Sequence, residues 1–502
     1  MPDGDVLRHT AINRVAWEVC GATRGGELRL AESFRAGEGN FDSASLPIAG
    51  CSGLDVLLRH CTPAMSRLSS RKSWGRWCPR LMAVLYRALD NPRVPAPHLG
   101  RGGPIAAGLC LAIWIVTSAC TPTVGATSST SDTASSSSLT SDLTGVACPS
   151  VSFCLAAGVH YDSPPAGHYP NERTLIERWN GSSWSLVASP NSAAGTSTLA
   201  RVSCGSTSLC FAVGWVGPYL PAGQVLIERW DGSLWSIAGS PKAASARSSA
   251  LHDVSCASAT FCVAVGQYTD ASANVDGLIE QWNGSSWRVV PFQHQGGLDA
   301  VICVSPWLCF TAGHYYTYQT GHEVGLGYIE QWNGSSWSIS AWPDSNVDVL
   351  LQSMSCVSGS RCFATGLHGK GQGTLDNHTL IEEWNGTSWS AVPSPNPSPS
   401  DNWLDGVSCA SASVCVATGY QRTDTTYHTL IEQWNGASWT IARAPEPRTT
   451  LSVRLSQVGC PSISHCFAIG GYNSPTSGHW LTLVEQWNGS SWSIVSSPNQ
   501  TG

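Results

Sequence analysis

From Leu143 to its C-terminus the chain carries one pattern of apolar and polar positions, repeated seven times at a spacing of about 52 residues. Its clearest copy is "LHDVSCASATFCVAVGQYTDASANVDGLIEQWNGSSWRVVP", residues 251–291. "LHDVSC" and "CVAVG" are short strand-like runs on either side of a Ser-rich turn. "LIEQW" alternates in strand fashion, Asn-Gly is the strongest short hairpin signal, and "WRVV" resumes strand character. The pattern predicts four short antiparallel strands per unit, a to d, with tight a–b and c–d turns. A lone sheet of this size buries only part of its faces, so units of this length are expected to stack radially. The fold class predicted is all-β: a seven-bladed β-propeller of four-stranded antiparallel blades over 143–498, preceded by a signal segment and a disordered Ser/Thr linker. The blades are expected at about 143–190, 199–240, 251–291, 298–342, 351–394, 404–445 and 455–498.

The c–d phrase recurs at 176–184, 227–235, 279–287, 329–337, 381–389, 431–439 and 484–492. Its two tryptophans, such as Trp282 and Trp287, flank a four-residue turn and are expected to meet across the hairpin. Asn-Gly-Ser also matches an N-glycosylation acceptor, but the turn accounts for it. A glutamate stands in every copy: Glu177, Glu228, Glu280, Glu330, Glu382, Glu432 and Glu485. Strand alternation puts it on the face of the first tryptophan, away from the central axis, so a hydrogen bond between blades is expected rather than catalysis.

Fourteen cysteines form seven C-x5-C pairs, each spanning the a–b turn. Facing hairpin positions are close enough to be bridged, which predicts Cys148–Cys154, Cys204–Cys210, Cys256–Cys262, Cys303–Cys309, Cys356–Cys362, Cys409–Cys415 and Cys460–Cys466. Zinc is the weaker reading, since its sites use closer pairs and four ligands. No metal site, cofactor or catalytic residue is assigned.

With Gly158, Gly214, Gly266, Gly313, Gly366, Gly419 and Gly470 ending strand b, and the first tryptophan of each phrase where that family has Tyr, the array resembles the kelch-type propellers. Only Gly470-Gly471 keeps the family's full Gly-Gly pair, and the cysteines are not part of its general pattern. The resemblance implies the fold and little about function.

The N-terminal part differs in character. Residues 1–120 hold 14 Lys and Arg against 9 Asp and Glu, leaving 13 against 25 in the remainder. An acidic propeller argues against nucleic acid as a partner. Arg101, the apolar run Ile105–Val116 and the small residues Thr117-Ser118-Ala119-Cys120 read as an export signal, too short to span a bilayer. Either Cys120 is acylated as in a lipobox, or cleavage follows Ala126 and releases a soluble protein. Residues 1–81 are read as a non-native or disordered extension, with Met65 and Met82 as later starts, 82–120 as the signal segment and 121–142 as the linker. Localisation is expected to be the cell envelope, by lipid anchor, or the medium.

The a–b and c–d turns share one rim and barely vary. The b–c and d–a loops share the other and differ in every blade, which is where a rigid scaffold carries recognition. They are rich in aromatics and histidine, and His160, Tyr161, Tyr268, Tyr315, Tyr316, Tyr420, Tyr472 and Trp480 are the candidate ligand contacts. The function expected is non-catalytic recognition of an extracellular or envelope protein or glycan by a monomer. The alternative is a propeller enzyme, a glycan-acting hydrolase or metal-dependent oxidase, with its site at the channel mouth. No arginine recurs toward the axis as an acid-sugar hydrolase would need, and no nucleophile elbow or phosphate loop is present.

Overall fold

The computed structural model describes residues 140–499 apart from 163–170, 193–194, 218–222, 242, 244–245, 293, 320–321, 344–346, 370–375, 424, 449 and 451. The chain divides into two units, 1–132 and 133–502, and the described residues all belong to the second. The N-terminal extension, the signal segment, Cys120 and the linker up to Leu139 lie outside the described residues.

Among the described residues, twenty-eight strands form seven four-stranded antiparallel sheets, each in the order a-b-c-d, and together they make a seven-bladed β-propeller. The a strands are Ser141–Ser150, Ser197–Ser206, Ser248–Ser258, Gly297–Ser305, Asp348–Ser358, Asn402–Ser411 and Val453–Ser462. They begin one to three residues ahead of the expected blade starts. All seven cysteine pairs are disulfides within a blade, across the a–b hairpin.

The inner strands explain two repeated residues. Every a strand carries a fully buried leucine: Leu143, Leu199, Leu251, Leu298, Leu351, Leu404 and Leu455. Just beyond it the a–b register slips by one residue, a β-bulge in each blade. At the leucine the strand b glycine is obligatory, because a Cβ there would sit 1.9–2.3 Å from the preceding strand a carbonyl oxygen. The serine just before the first cysteine joins neighbouring blades: the hydroxyls of Ser203, Ser255, Ser355 and Ser408 accept from the backbone N–H of Cys256, Cys303, Cys409 and Cys460 at 2.9–3.1 Å.

The outer hairpin is a clasp with a second role. Its tryptophans pair in register with ring centroids 5.6–5.9 Å apart in all seven blades. Each first tryptophan donates its indole N–H to a carbonyl of its own a–b turn, 3.0–3.3 Å away. The turn glycines have φ between +94° and +100°, and the Asn side-chain oxygen accepts two backbone N–H groups, as Asn180 does from Ser182 and Ser183. At four junctions the pair also grips a phenylalanine of the preceding blade: Phe467, Phe211, Phe310 and Phe363 lie 4.9–5.3 Å from its rings.

The recurrent glutamate is buried between blades, as its position implied. A serine five residues past the second tryptophan reaches into the next blade: Ser189 to Glu228 at 2.7 Å, Ser240 to Glu280 at 2.8 Å, Ser394 to Glu432 at 3.0 Å and Ser497 to Glu177 at 2.9 Å. Where that serine is replaced, the bond changes or goes. His294 meets Glu330, whereas the carboxylate oxygens of Glu485, opposite Ala444, are buried without a hydrogen-bond partner. Burial pushes Glu177, Glu228 and Glu432 up to about 8 and Glu280 and Glu382 up to about 7.

Blade seven closes on blade one by packing, with no exchanged strand among the described residues. Leu143, Ala156, Leu175, Trp179 and Trp184 share one apolar cluster with Phe467, Ile469 and Val484. The Ser497–Glu177 bond and an Arg454–Asp142 ion pair complete the seam.

Candidate functional site

The bulges place polar side chains around the axis. Thr144 donates its hydroxyl to the Leu199 carbonyl at 2.8 Å, and His252 Nδ1 lies 2.9 Å from the Leu298 carbonyl, each spanning one junction. Longer side chains cross the channel itself. Arg201 of blade two donates to the Thr144 carbonyl and, at 3.5 Å, to the carbonyl of Asp405 in blade six. Gln457 of blade seven donates to Ser353 Oγ of blade five at 3.3 Å. Arg201 thus stands at the axis, alone of its kind in the inner bulges, and the channel is bridged. Burial lifts Asp253 and Asp405 to about 6, with Arg201 opposing the shift in both.

On the variable rim the geometry gathers two groups. Around blades six, seven and one, Arg454 pairs with Asp142 and lies 5.1 Å from the Trp480 ring centroid. Tyr420 sits between Trp403 and Tyr427, with centroids 5.2 and 5.4 Å away. Tyr161 donates to Glu172 at 3.5 Å, and burial, helped by Glu172 and Asp142, pushes its hydroxyl up to about 12. Asp142 first, and Asp405 with it, stabilise the charge on Arg454, while burial keeps the Tyr420 hydroxyl protonated well above its ordinary range.

In blade four, His314 Nδ1 lies 2.6 Å from Asp299 Oδ2, and the other oxygen of Asp299 is 3.7 Å from His252. Burial would lower His314 and raise Asp299, but their mutual attraction reverses both, leaving His314 high and Asp299 low. Tyr316, 43% exposed, meets His314 edge-on at 4.9 Å.

The eight expected contact residues therefore fall into four sets. Tyr161, Tyr420 and Trp480 belong to the Arg454 group, and Tyr316 to the His314 group. Tyr268, Tyr315 and Tyr472 pack against the apolar clusters between blades. His160 is half-buried, which lowers its pKa, with Nε2 3.7 Å from Asp162. Arg454, Asp142, Trp403 and Arg201 were missed by sequence reasoning. A signal existed for the first three: the position just before the buried leucine reads Asp142, Thr198, Ala250, Gly297, Leu350, Trp403 and Arg454, a column that never repeats within a repeated strand. Among the described residues no three His, Cys, Asp or Glu side chains are placed to hold a metal ion.

No family model matches the chain, and no curated protein matches it. Solved structures do. An ulvan lyase of a new polysaccharide lyase family shares 8% identity at a TM-score of 0.49, over 72% of this chain and 96% of that one. YCF48 with a bound peptide shares 11% at 0.41, over 70% and 94%. Sqt1 of Chaetomium thermophilum, bound to the N-terminus of a ribosomal protein, shares 11% at 0.39, over 71% and 87%. These neighbours include an enzyme and binding modules, and likenesses this distant assign no chemistry to the chain.

Proposed function

We propose that this chain is an exported, envelope-associated recognition module that binds a protein or glycan, without catalysis, through its b–c/d–a rim. The Arg454 group carries the reading: a guanidinium over Trp480, flanked by Asp142 and by the Trp403–Tyr420–Tyr427 stack, offers aromatic faces beside a polar ion pair on one rim. Such surfaces hold sugar faces or side chains at low entropic cost. Seven disulfides are compatible with export. The test is a glycan array and cross-linking to envelope extract with the parent protein, Trp480→Ala and Tyr420→Ala. Binding by the parent that falls at least about tenfold in both variants is expected from the loss of one aromatic anchor. Undiminished binding by both variants, or no binding by the parent, would remove the support for this rim.

A second reading, an enzyme at the channel mouth, is favoured by the Asp299-oriented His314 alone. Its test is release of product from envelope polysaccharide, abolished by His314→Gln.

A further inference from the structure

A different part of the molecule carries an inference independent of the variable rim. Outside the ring, between strand d of blade one (Trp184–Leu186) and the c–d turn of blade two, lies a cleft of about 560 Å³. Arg178, Asn180, Ser185, Leu186, Ser233 and Leu234 are among the residues lining it. This is the rim of the a–b and c–d turns, and two departures from the c–d repeat line the cleft. At the last turn position before the second tryptophan, six blades carry serine (Ser183, Ser286, Ser336, Ser388, Ser438, Ser491) and blade two carries Leu234, 55% exposed. Where four blades carry glutamine (Gln281, Gln331, Gln433, Gln486), blade one carries Arg178, blade two Arg229, which stacks on Trp282 of blade three, and blade five Glu383, so what sets the cleft apart is Arg178 together with Leu234.

Leu234 leaves more than half of its surface exposed. Arg178 has no carboxylate partner among the described residues: its guanidinium lies 5.3 Å from the Phe153 ring centroid, and its Nε is buried without a hydrogen-bond partner. Asp231, in the c–d turn of blade two, forms no ion pair with it, and its carboxylate instead accepts from the backbone of Ser233 and Leu234 and from the Ser233 hydroxyl. Between the two stands a strand with a free side. Strand d is the outermost of its sheet. Val187 N–H donates inward to the Ile176 carbonyl at 2.9 Å, so by alternation the backbone N–H and C=O of Leu186 point away from the sheet. The pairing of Arg178 with Ser185 sets Arg178 and Val187 on the face toward blade two, and Val187 packs there with Trp230 and Trp235.

We propose that this cleft binds an extended peptide segment along the free edge of strand d of blade one, with an acidic side chain on Arg178 and an apolar side chain covering Leu234. Edge addition accounts for affinity without sequence, and the two departures from the repeat supply specificity. An acidic occupant follows from an unpaired guanidinium in an otherwise acidic propeller, and an extended one from the exposed strand edge.

The probe is a set of fluorescein-labelled pentapeptides of the form Thr-x-Thr-z-Thr, x being Leu or Ser and z Asp, Asn or Lys, so that x and z share a face of the strand. Fluorescence polarisation with the full chain is expected to show the Leu/Asp member binding at least about tenfold more tightly than its Asn and Ser counterparts, since a charge-assisted hydrogen bond and a covered leucine each contribute about that factor. Arg178→Gln and Leu234→Ser install the repeat's own residues, so unchanged thermal unfolding is expected alongside loss of that preference. Absence of Leu/Asp binding below millimolar concentration, equal binding of the Lys member, or undiminished preference in both variants would overturn the proposal.

Discussion

Ser497→Ala tests how the ring is held shut. The Ser497 hydroxyl meets the Glu177 carboxyl oxygens at 2.9 and 3.0 Å and Thr482 Oγ1 at 2.8 Å, across the seam where no strand passes. Glu177 is fully buried, so removing the serine leaves its carboxyl without that donor and without water. Orphaning a buried polar group costs about 1–3 kcal/mol, and a similar loss is expected from Ser394→Ala, which serves Glu432 inside the ring. The converse substitution makes the reasoning sharper. Ala444→Ser places a hydroxyl at the equivalent position opposite Glu485, whose two oxygens have no partner, and is expected to add about 1 kcal/mol. Urea denaturation followed by tryptophan fluorescence, with matched m-values, measures all three. If Ser497→Ala unfolds at the parent's midpoint, or Ala444→Ser destabilises, the serine-to-glutamate bond is not what supports these junctions.

The buried glutamates also set a pH dependence. A carboxyl raised from about 4.5 to about 8, as in Glu177, holds its proton longer folded than unfolded, so its stability is full below about pH 4.5 and is lost as pH rises through 8. The difference is on the order of 4 kcal/mol for this one group, and denaturation midpoints should fall from pH 5 to pH 9, less steeply in Glu485→Gln. A midpoint that rises over this range would contradict the burial argument. Thiol titration should find none of the 14 propeller cysteines before reduction, and reduction should cost about 2 kcal/mol per bridge, because each closes a loop with a sequence separation of 6. Full reduction without a change in midpoint would show that the bridges do not support the blades. Arg201→Met removes the cation opposing the upward shifts of Asp253 and Asp405, so both should titrate higher, measurable by carboxyl NMR, and the fold should lose about 1–3 kcal/mol.

Much of the architecture was legible because its partners are close in the chain. A cysteine pair six residues apart, two tryptophans five apart and an Asn-Gly between them define hairpins whose two sides find each other locally, and seven copies state the blade count. The glutamate's place between blades followed from strand alternation. Its donor did not, because Ser189, Ser240 and Ser394 lie 38 to 40 residues from their glutamates and Ser497 lies 320 from Glu177. The repeated serine was visible in each copy, but only the stacking of sheets reveals what it faces.

For the candidate site the division is sharper. Sequence variation singled out the rim with the b–c loops and supplied Tyr161, Tyr316, Tyr420 and Trp480. It could not bring Trp480 under Arg454 or Arg454 onto Asp142, 312 residues away, nor carry Arg201 across the axis to Asp405. The sequence by itself determined the blade, since a hairpin is specified by turn chemistry and by side chains a few residues apart. Tertiary structure alone decided the bridged channel, the closing seam and the cleft at Leu234, because those contacts exist only once seven separate sheets close a ring and bring distant residues within hydrogen-bond reach.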